Sequence, residues 1–172
     1  MSVALRELNA LSAGDAADLL RACCGSARWV ARMVERRPFA TLDALLTAAD
    51  ETWERLDAAD WLEAFAHHPR IGERQSADAQ STRASRWSAT EQANVTTASE
   101  SARDELAIVN EAYEKRFGFI YIVSASGKSA TELLSIARAR LSHDPARELE
   151  VAANEQRKIT TLRLRQLITD LE

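Results

Sequence analysis

Apolar residues recur at three- and four-residue spacing along most of this chain, and very little interrupts them: five glycines and three prolines in 172 residues. No other feature restricts the fold as much, because this is the period of a buried helix face, met again and again. Ala, Leu, Arg and Glu fill the stretches between breaks, and their side chains lose little rotamer freedom in a helix. Hydrophobic residues at 46% and charged residues at 28% describe a globular chain rather than a disordered one. The length suits one domain with one substantial core. No repeat, linker or low-complexity tract divides it. The expected fold is all-α, a single-domain multi-helix bundle over residues 1–172 with one buried extended segment.

Local signals place the elements. Ser12, with Asp15 three residues on, predicts a helix that carries Leu19 and Leu20 and ends at Gly25. A second follows Ser26, with Trp29, Val30, Met33 and Val34 on one face, and stops before Pro38. Thr41 can cap a third, striped by Leu42, Leu45, Leu46, Ala49, Trp53 and Leu56. A short piece from Asp60 to Ala66 delivers the chain into His67-His68-Pro69-Arg70-Ile71-Gly72. Pro69 disfavours the α conformation at His68, so the helix ends there with the imidazole at its mouth.

Glu73 to Trp87 is polar and reads as a long loop or short irregular helix, a length that usually carries function or motion. Ser88 and Glu91 then have capping-box spacing. They are expected to open a long helix with Val95, Ala102, Leu106, Val109, Tyr113 and Phe117 on its stripe, closed by Gly118. Phe119 to Val123 alone is strand-like, and a lone strand has no ladder. It is expected to thread between helices as a buried extended segment whose backbone groups need other partners, a bound ligand among them. Ser129 and Glu132 form a further box, ahead of Leu133, Leu134, Ile136 and Leu141. Asp144-Pro145 starts the last helix, whose stripe runs through Leu149, Ala153, Gln156, Thr160, Leu164, Leu167 and Leu171.

A net charge of -4 gives no general reason to approach nucleic acid. No apolar run reaches the roughly 20 residues that span a bilayer. The N-terminus lacks the pattern of a signal peptide and the C-terminus a peroxisomal tripeptide. Cys23 and Cys24 are neighbours in a predicted helix, about 100° apart and poorly placed to pair with each other. Two buried thiols in a reducing cytoplasm is the expectation.

Candidate chemistry gathers at few residues. His68 titrates near neutrality when unperturbed and suits acid–base work, although a His-Pro pair is also a common structural ending. Glu91 is open to two readings, a helix cap or a site carboxylate. Arg163 falls between Ile159 and Leu167, close to the apolar stripe, and a guanidinium drawn inward wants an anion, from the protein or from a substrate. Arg70, Arg74, Arg83 and Arg86 make a locally positive stretch that a solvated surface explains. No glycine-rich phosphate loop, Cys/His cluster or nucleophile elbow is present in the sequence, so no metal or organic cofactor is expected.

The ordered set of segments is more specific than any one of them. His68-Pro69-Arg70-Ile71-Gly72, Glu91-Gln92, Phe117 to Val123, and Lys158-Ile159 with Leu162-Arg163-Leu164 together resemble the 2-oxo-4-hydroxy-4-carboxy-5-ureidoimidazoline (OHCU) decarboxylases. The wording after Gly118 is similar to the bacterial branch. That resemblance implies an all-α homodimer that needs no cofactor and converts a small-molecule substrate, OHCU, to (S)-allantoin at the end of urate breakdown. It implies His68 as catalytic acid/base and Glu91 as its partner. Pro69, Ser88 and Gln92 would line the pocket, and Tyr121, Ile122, Val123, Ser124 and Ala125 would offer main-chain contacts. Arg163 would meet the substrate anion. Many animal members carry an Ala-Arg pair where this chain has Ala125-Ser126, so no arginine is carried over there. A binding module without turnover and a helical interaction protein are the competing readings, the first separated by an activity assay and the second by solution mass.

Overall fold

In the computed structural model, which describes residues 2–72, 82–96 and 98–172, every regular element is an α-helix. The architecture is all-α, as the spacing predicts. Two compact units divide it, the first made of residues 1–64 and 157–172, the second of 65–156.

The first unit holds α1 (Val3–Ala10), α2 (Ala13–Cys23), α3 (Ala27–Glu35), α4 (Leu42–Glu54) and most of α5 (Ala58–Ala66). Ser2, Ser12, Ser26 and Thr41 each cap a helix by accepting an amide hydrogen three residues on. Helix α1 is not foreseen in the sequence. At eight residues it is too short to persist alone, and it is held by burial of Ala4, Leu5 and Leu8. Arg37 Nη1 also donates to the carbonyls of Leu8 and Leu11 (2.8 and 2.9 Å), which the helix end leaves without intrahelical partners. Trp29 is fully buried and its Nε1 donates to the Ala49 carbonyl at 3.2 Å, tying α3 to α4. Helix α2 stops at Cys23, so Cys24 is its cap rather than a helical residue. Neither cysteine is in a disulfide and both are buried, and burial pushes the Cys24 thiol up to about 12.

The second unit holds α6 (Thr82–Glu91), α7 (Ala93–Thr96), α8 (Glu100–Phe117) and α9 (Ala130–Arg140). It also takes the first part of α10 (Pro145–Asp170), whose C-terminal part belongs to the first unit. Two expectations are corrected here. The stretch expected to be a loop or irregular helix up to Trp87 is a regular helix from Thr82 onward; its earlier part, 73–81, lies outside the described residues. Ser88 and Glu91 do not open a helix but lie in the last turns of α6. The long helix starts later, capped by Ser99, and Val95 sits on the separate short α7. Gly118 closes α8 at φ 80°, where a side chain is strained.

The Ser129–Glu132 capping box is formed in full. Ser129 Oγ accepts from the Glu132 amide at 3.2 Å, and Glu132 Oε2 accepts from the Ser129 amide at 2.8 Å. Ser129→Ala should cost about 1 kcal/mol and lower Tm by about 2–4 °C. An unchanged melting temperature in a calorimetric scan would show that the box contributes nothing.

Candidate active site

The site is built from the turn after α5. Helix α5 ends at Ala66, and the His68 amide donates to the Phe65 carbonyl at 3.1 Å. Pro69 then turns the chain out of the helix and leaves His68 half-buried. Three side chains fasten the next residues. Arg70 grips the Glu114 carboxylate of α8 through two nitrogens, Nη2 at 2.9 Å. Asn110, also on α8, donates to the Ile71 carbonyl at 2.9 Å. Gln92 Oε1 accepts from the Gly72 amide at 3.0 Å. Gly72 has φ 84°, so a side chain there would strain the turn. The Ile71 side chain itself is buried, a contribution of about 1.5–3 kcal/mol.

Gln92 brings the second piece with it. It follows Glu91 at the junction of α6 and α7, where both are half-buried, and its own amide donates to the Ser88 carbonyl at 3.1 Å. Ser88 is buried within α6. The third piece is the segment 121–125, buried along its length and in no regular element. Ile71, Val95, Tyr121, Val123 and Ala125 belong to one hydrophobic core with Leu106, Val109, Tyr113 and Leu133. The Phe65 and Phe119 rings also meet, with centroids 5.4 Å apart. The His68 turn, the Glu91–Gln92 junction and the 121–125 segment are therefore mounted on the same core.

Arg163 belongs to the first unit. It is buried, and Nη1 donates to the Ala22 carbonyl at 3.2 Å, in the last turn of α2 where a cation meets the negative helix end. A main-chain carbonyl is thus among the partners that draw this guanidinium inward.

A polar cluster that the sequence reading missed lies under the 121–125 segment. Glu148 is fully buried and accepts from Tyr113 Oη and from Arg140 Nε (2.7 Å), while His143 Nδ1 lies 2.7 Å from its other oxygen. Arg140 Nη1 donates to the Ile122 carbonyl at 2.8 Å. Its guanidinium also stands 5.0 Å from the centre of the Tyr121 ring. Burial opposes the Arg140 charge, yet the bond to Glu148 and the surrounding phenols hold its pKa above the ordinary value. Burial likewise raises both Tyr113 and Tyr121, so both stay neutral phenols. The available signal was the one used for Arg163, a charged residue on an apolar helix face: Arg140 follows Leu133, Leu134 and Ala137, and Glu148 precedes Ala152.

A cavity of about 560 Å³ runs along α8 beside Arg70, Ile71 and Gly72, with Arg103, Asn110, Glu111 and Lys115 in its wall. Its lining includes neither His68 nor Glu91. Among the described residues no group of three or more His, Cys, Asp and Glu side chains could hold a metal ion, and no helix is long and apolar enough to cross a membrane.

Comparison with known proteins gives this arrangement a family. The chain is 40% identical over 153 residues to the uric acid degradation bifunctional protein of Arabidopsis thaliana, a match covering 89% of this chain and 47% of that one. It spans about a third of the Bacillus subtilis bifunctional protein, at 26% identity. With the 2-oxo-4-hydroxy-4-carboxy-5-ureidoimidazoline decarboxylase of Haloferax volcanii it shares 27% identity over 93% of both chains. A crystal structure of OHCU decarboxylase in the presence of (S)-allantoin matches with a TM-score of 0.76 and 38% identity, covering 89% of this chain and 99% of the other. The (S)-allantoin synthase structure, at 18% identity and a TM-score of 0.71, shares the fold. Residues 9–165 match the family model described as OHCU decarboxylase, and the chain belongs to that family.

Proposed function

We propose that this protein decarboxylates OHCU to (S)-allantoin and CO2 without a cofactor, with His68 as acid/base and Glu91 as its pocket partner. One observation carries the reading: the His68 turn, the Glu91–Gln92 junction and the 121–125 segment are gathered on one core in a chain of this family. The substrate supplies its own electron sink. C4 bears a hydroxyl and a carboxylate and adjoins the imine carbon C5. As the C4–carboxylate bond breaks, its electron pair moves into a C4–C5 double bond and on toward the imine nitrogen. The imine nitrogen takes up a proton from solvent, neutral His68 takes the hydroxyl proton as C4 becomes a carbonyl, and the C4–C5 electron pair takes a proton on one face of C5, which sets the S configuration.

Pro69, Ser88 and Gln92 line the pocket in this reading. The segment from Tyr121 to Ala125 offers backbone groups to the ureido and ring amides. Among the described residues nothing accepts from the amides of Val123 or Ala125, and buried N–H groups left this way are ready donors. Arg163 is assigned to the substrate anion on the family resemblance alone. Arg163→Lys should raise KM while kcat is retained, because a point charge replaces a planar fork; an unchanged KM removes the residue from the site.

The activity is tested by circular dichroism of a urate reaction containing urate oxidase and hydroxyisourate hydrolase. Rapid growth of the (S)-allantoin signal only when this protein is added supports the reading, and a slow racemising decay equal to the control overturns it. Glu91 gives a sharper check, since it lies at the end of α6 rather than in the first turn of a helix. Glu91→Gln should lower kcat by about 10²-fold with the melting temperature unchanged. Loss of stability at full kcat would return Glu91 to a structural role.

The protein is read as one folding unit, because α5 and α10 each run unbroken through the residues at which the two units divide. A homodimer in the cytoplasm is the assembly that the resemblance implies, and sedimentation equilibrium of the purified chain tests the dimer directly.

A further inference from the structure

Among the described residues no strand pairs with segment 121–125, yet side chains fasten its backbone at Ile122 and Ser124. Arg140 Nη1 donates to the Ile122 carbonyl at 2.8 Å, Glu155 Oε2 accepts from the Ser124 amide at 2.8 Å, and Lys128 Nζ donates to the Ser124 carbonyl at 2.6 Å. The Ile122 carbonyl and both backbone groups of Ser124 are thus taken up by side chains, while among the described residues nothing accepts from the amides of Val123 or Ala125. Of the three anchors Arg140 is the deepest, with a side chain 6% exposed beside a Glu148 side chain at 0%. A guanidinium buried this way has a fixed direction: Glu148 orients Nε, Tyr113 Oη lies 3.1 Å from Nη2, and Nη1 is left to aim at the carbonyl.

We propose that Arg140, held by Glu148 and Tyr113, is a positioning residue. It fixes the segment at Ile122 so that the Val123 and Ala125 amides meet the substrate's ureido and ring carbonyl oxygens. This rests on the decarboxylase reading above. Displacing such donors by a fraction of an ångström weakens every contact they make to the substrate, at a distance from the residue that moved.

Two variants test it against wild type in the same assay. In Arg140→Lys one ammonium replaces a fork and cannot serve Glu148, Tyr113 and the Ile122 carbonyl together. Lys128→Met releases the Ser124 carbonyl without touching the buried pair. Arg140→Lys should keep the helical spectrum and lose about 10–100-fold in kcat/KM, mostly through KM, with a smaller enantiomeric excess of (S)-allantoin. Lys128→Met should move KM in the same direction by less. In both, hydrogen exchange at the amides of Ile122 to Ala125 should quicken in the free protein. Normal KM and product chirality in the folded variants, or a lowered Tm with kinetics intact, would overturn the positioning role while leaving the decarboxylase reading in place. A wild-type protein that does not turn over OHCU would overturn both.

Discussion

His68→Ala is expected to lose about 10²–10⁴-fold in kcat/KM for OHCU, the usual worth of a positioned acid–base group, while the fold survives. Survival follows from how the turn is held. The His68 amide bond to the Phe65 carbonyl belongs to the backbone and remains in alanine. Arg70 on Glu114, Asn110 on the Ile71 carbonyl and Gln92 on the Gly72 amide fasten the next three residues without using the imidazole. None of these anchors is removed by the substitution, so the variant should keep the helical spectrum and a single cooperative urea transition. His67 is the internal control. It is exposed one residue earlier, and His67→Ala should leave the rate near that of wild type. OHCU decays unaided, so the measurement is the initial (S)-allantoin dichroism above the uncatalysed background. Near-normal turnover in His68→Ala removes this residue from the chemistry and with it the proposed mechanism.

The parts of this fold that the sequence made legible are those decided within a few residues. Ser12, Ser26, Thr41 and Ser129 cap the helices expected of them, because a hydroxyl three residues ahead of an unpaired amide is a local arrangement. Pro69 ends α5 for an equally local steric reason. The same pattern misleads at Ser88 and Glu91. A spacing of three also places two residues on one face of a continuing helix, and only the backbone angles at Ser88 distinguish the cases. Helix α6 was hard to read because few of its described residues are buried: Ala84, Trp87 and Ser88 give too faint a stripe among Arg83, Arg86 and Thr90. The extended segment was visible as a run of β-branched and aromatic residues lacking a partner strand. What fastens it was not. Arg140 and Glu148 sit on different helices, and their meeting under Ile122 is a tertiary fact.

That pair predicts the largest change in stability. Arg140→Met should destabilise the protein by about 3–5 kcal/mol, because the Glu148 carboxyl group, in a site with no exposure, loses its guanidinium partner and keeps only His143 and Tyr113 beside it. Against a total of about 5–15 kcal/mol for a typical domain, this brings the chain close to unfolding. Arg140→Met/Glu148→Met should recover much of the loss, since two apolar side chains of similar volume leave no stranded charge. Recovery stays incomplete, for the Ile122 carbonyl and Tyr113 hydroxyl each lose a partner and an unsatisfied buried group costs about 1–3 kcal/mol. Urea denaturation of the four proteins measures the coupling, and additive single and double variants would mean the pair is not a unit. The tryptophans add a second reading. Trp29, Trp53 and Trp61 lie in the first unit and Trp87 in the second. If the chain is one folding unit, a variant retaining only Trp87 and one lacking only Trp87 should show the same midpoint, and Arg140→Met should shift both equally. A shift confined to the Trp87 signal would mean that the second unit unfolds by itself, and the Arg140–Glu148 pair would then stabilise that unit alone.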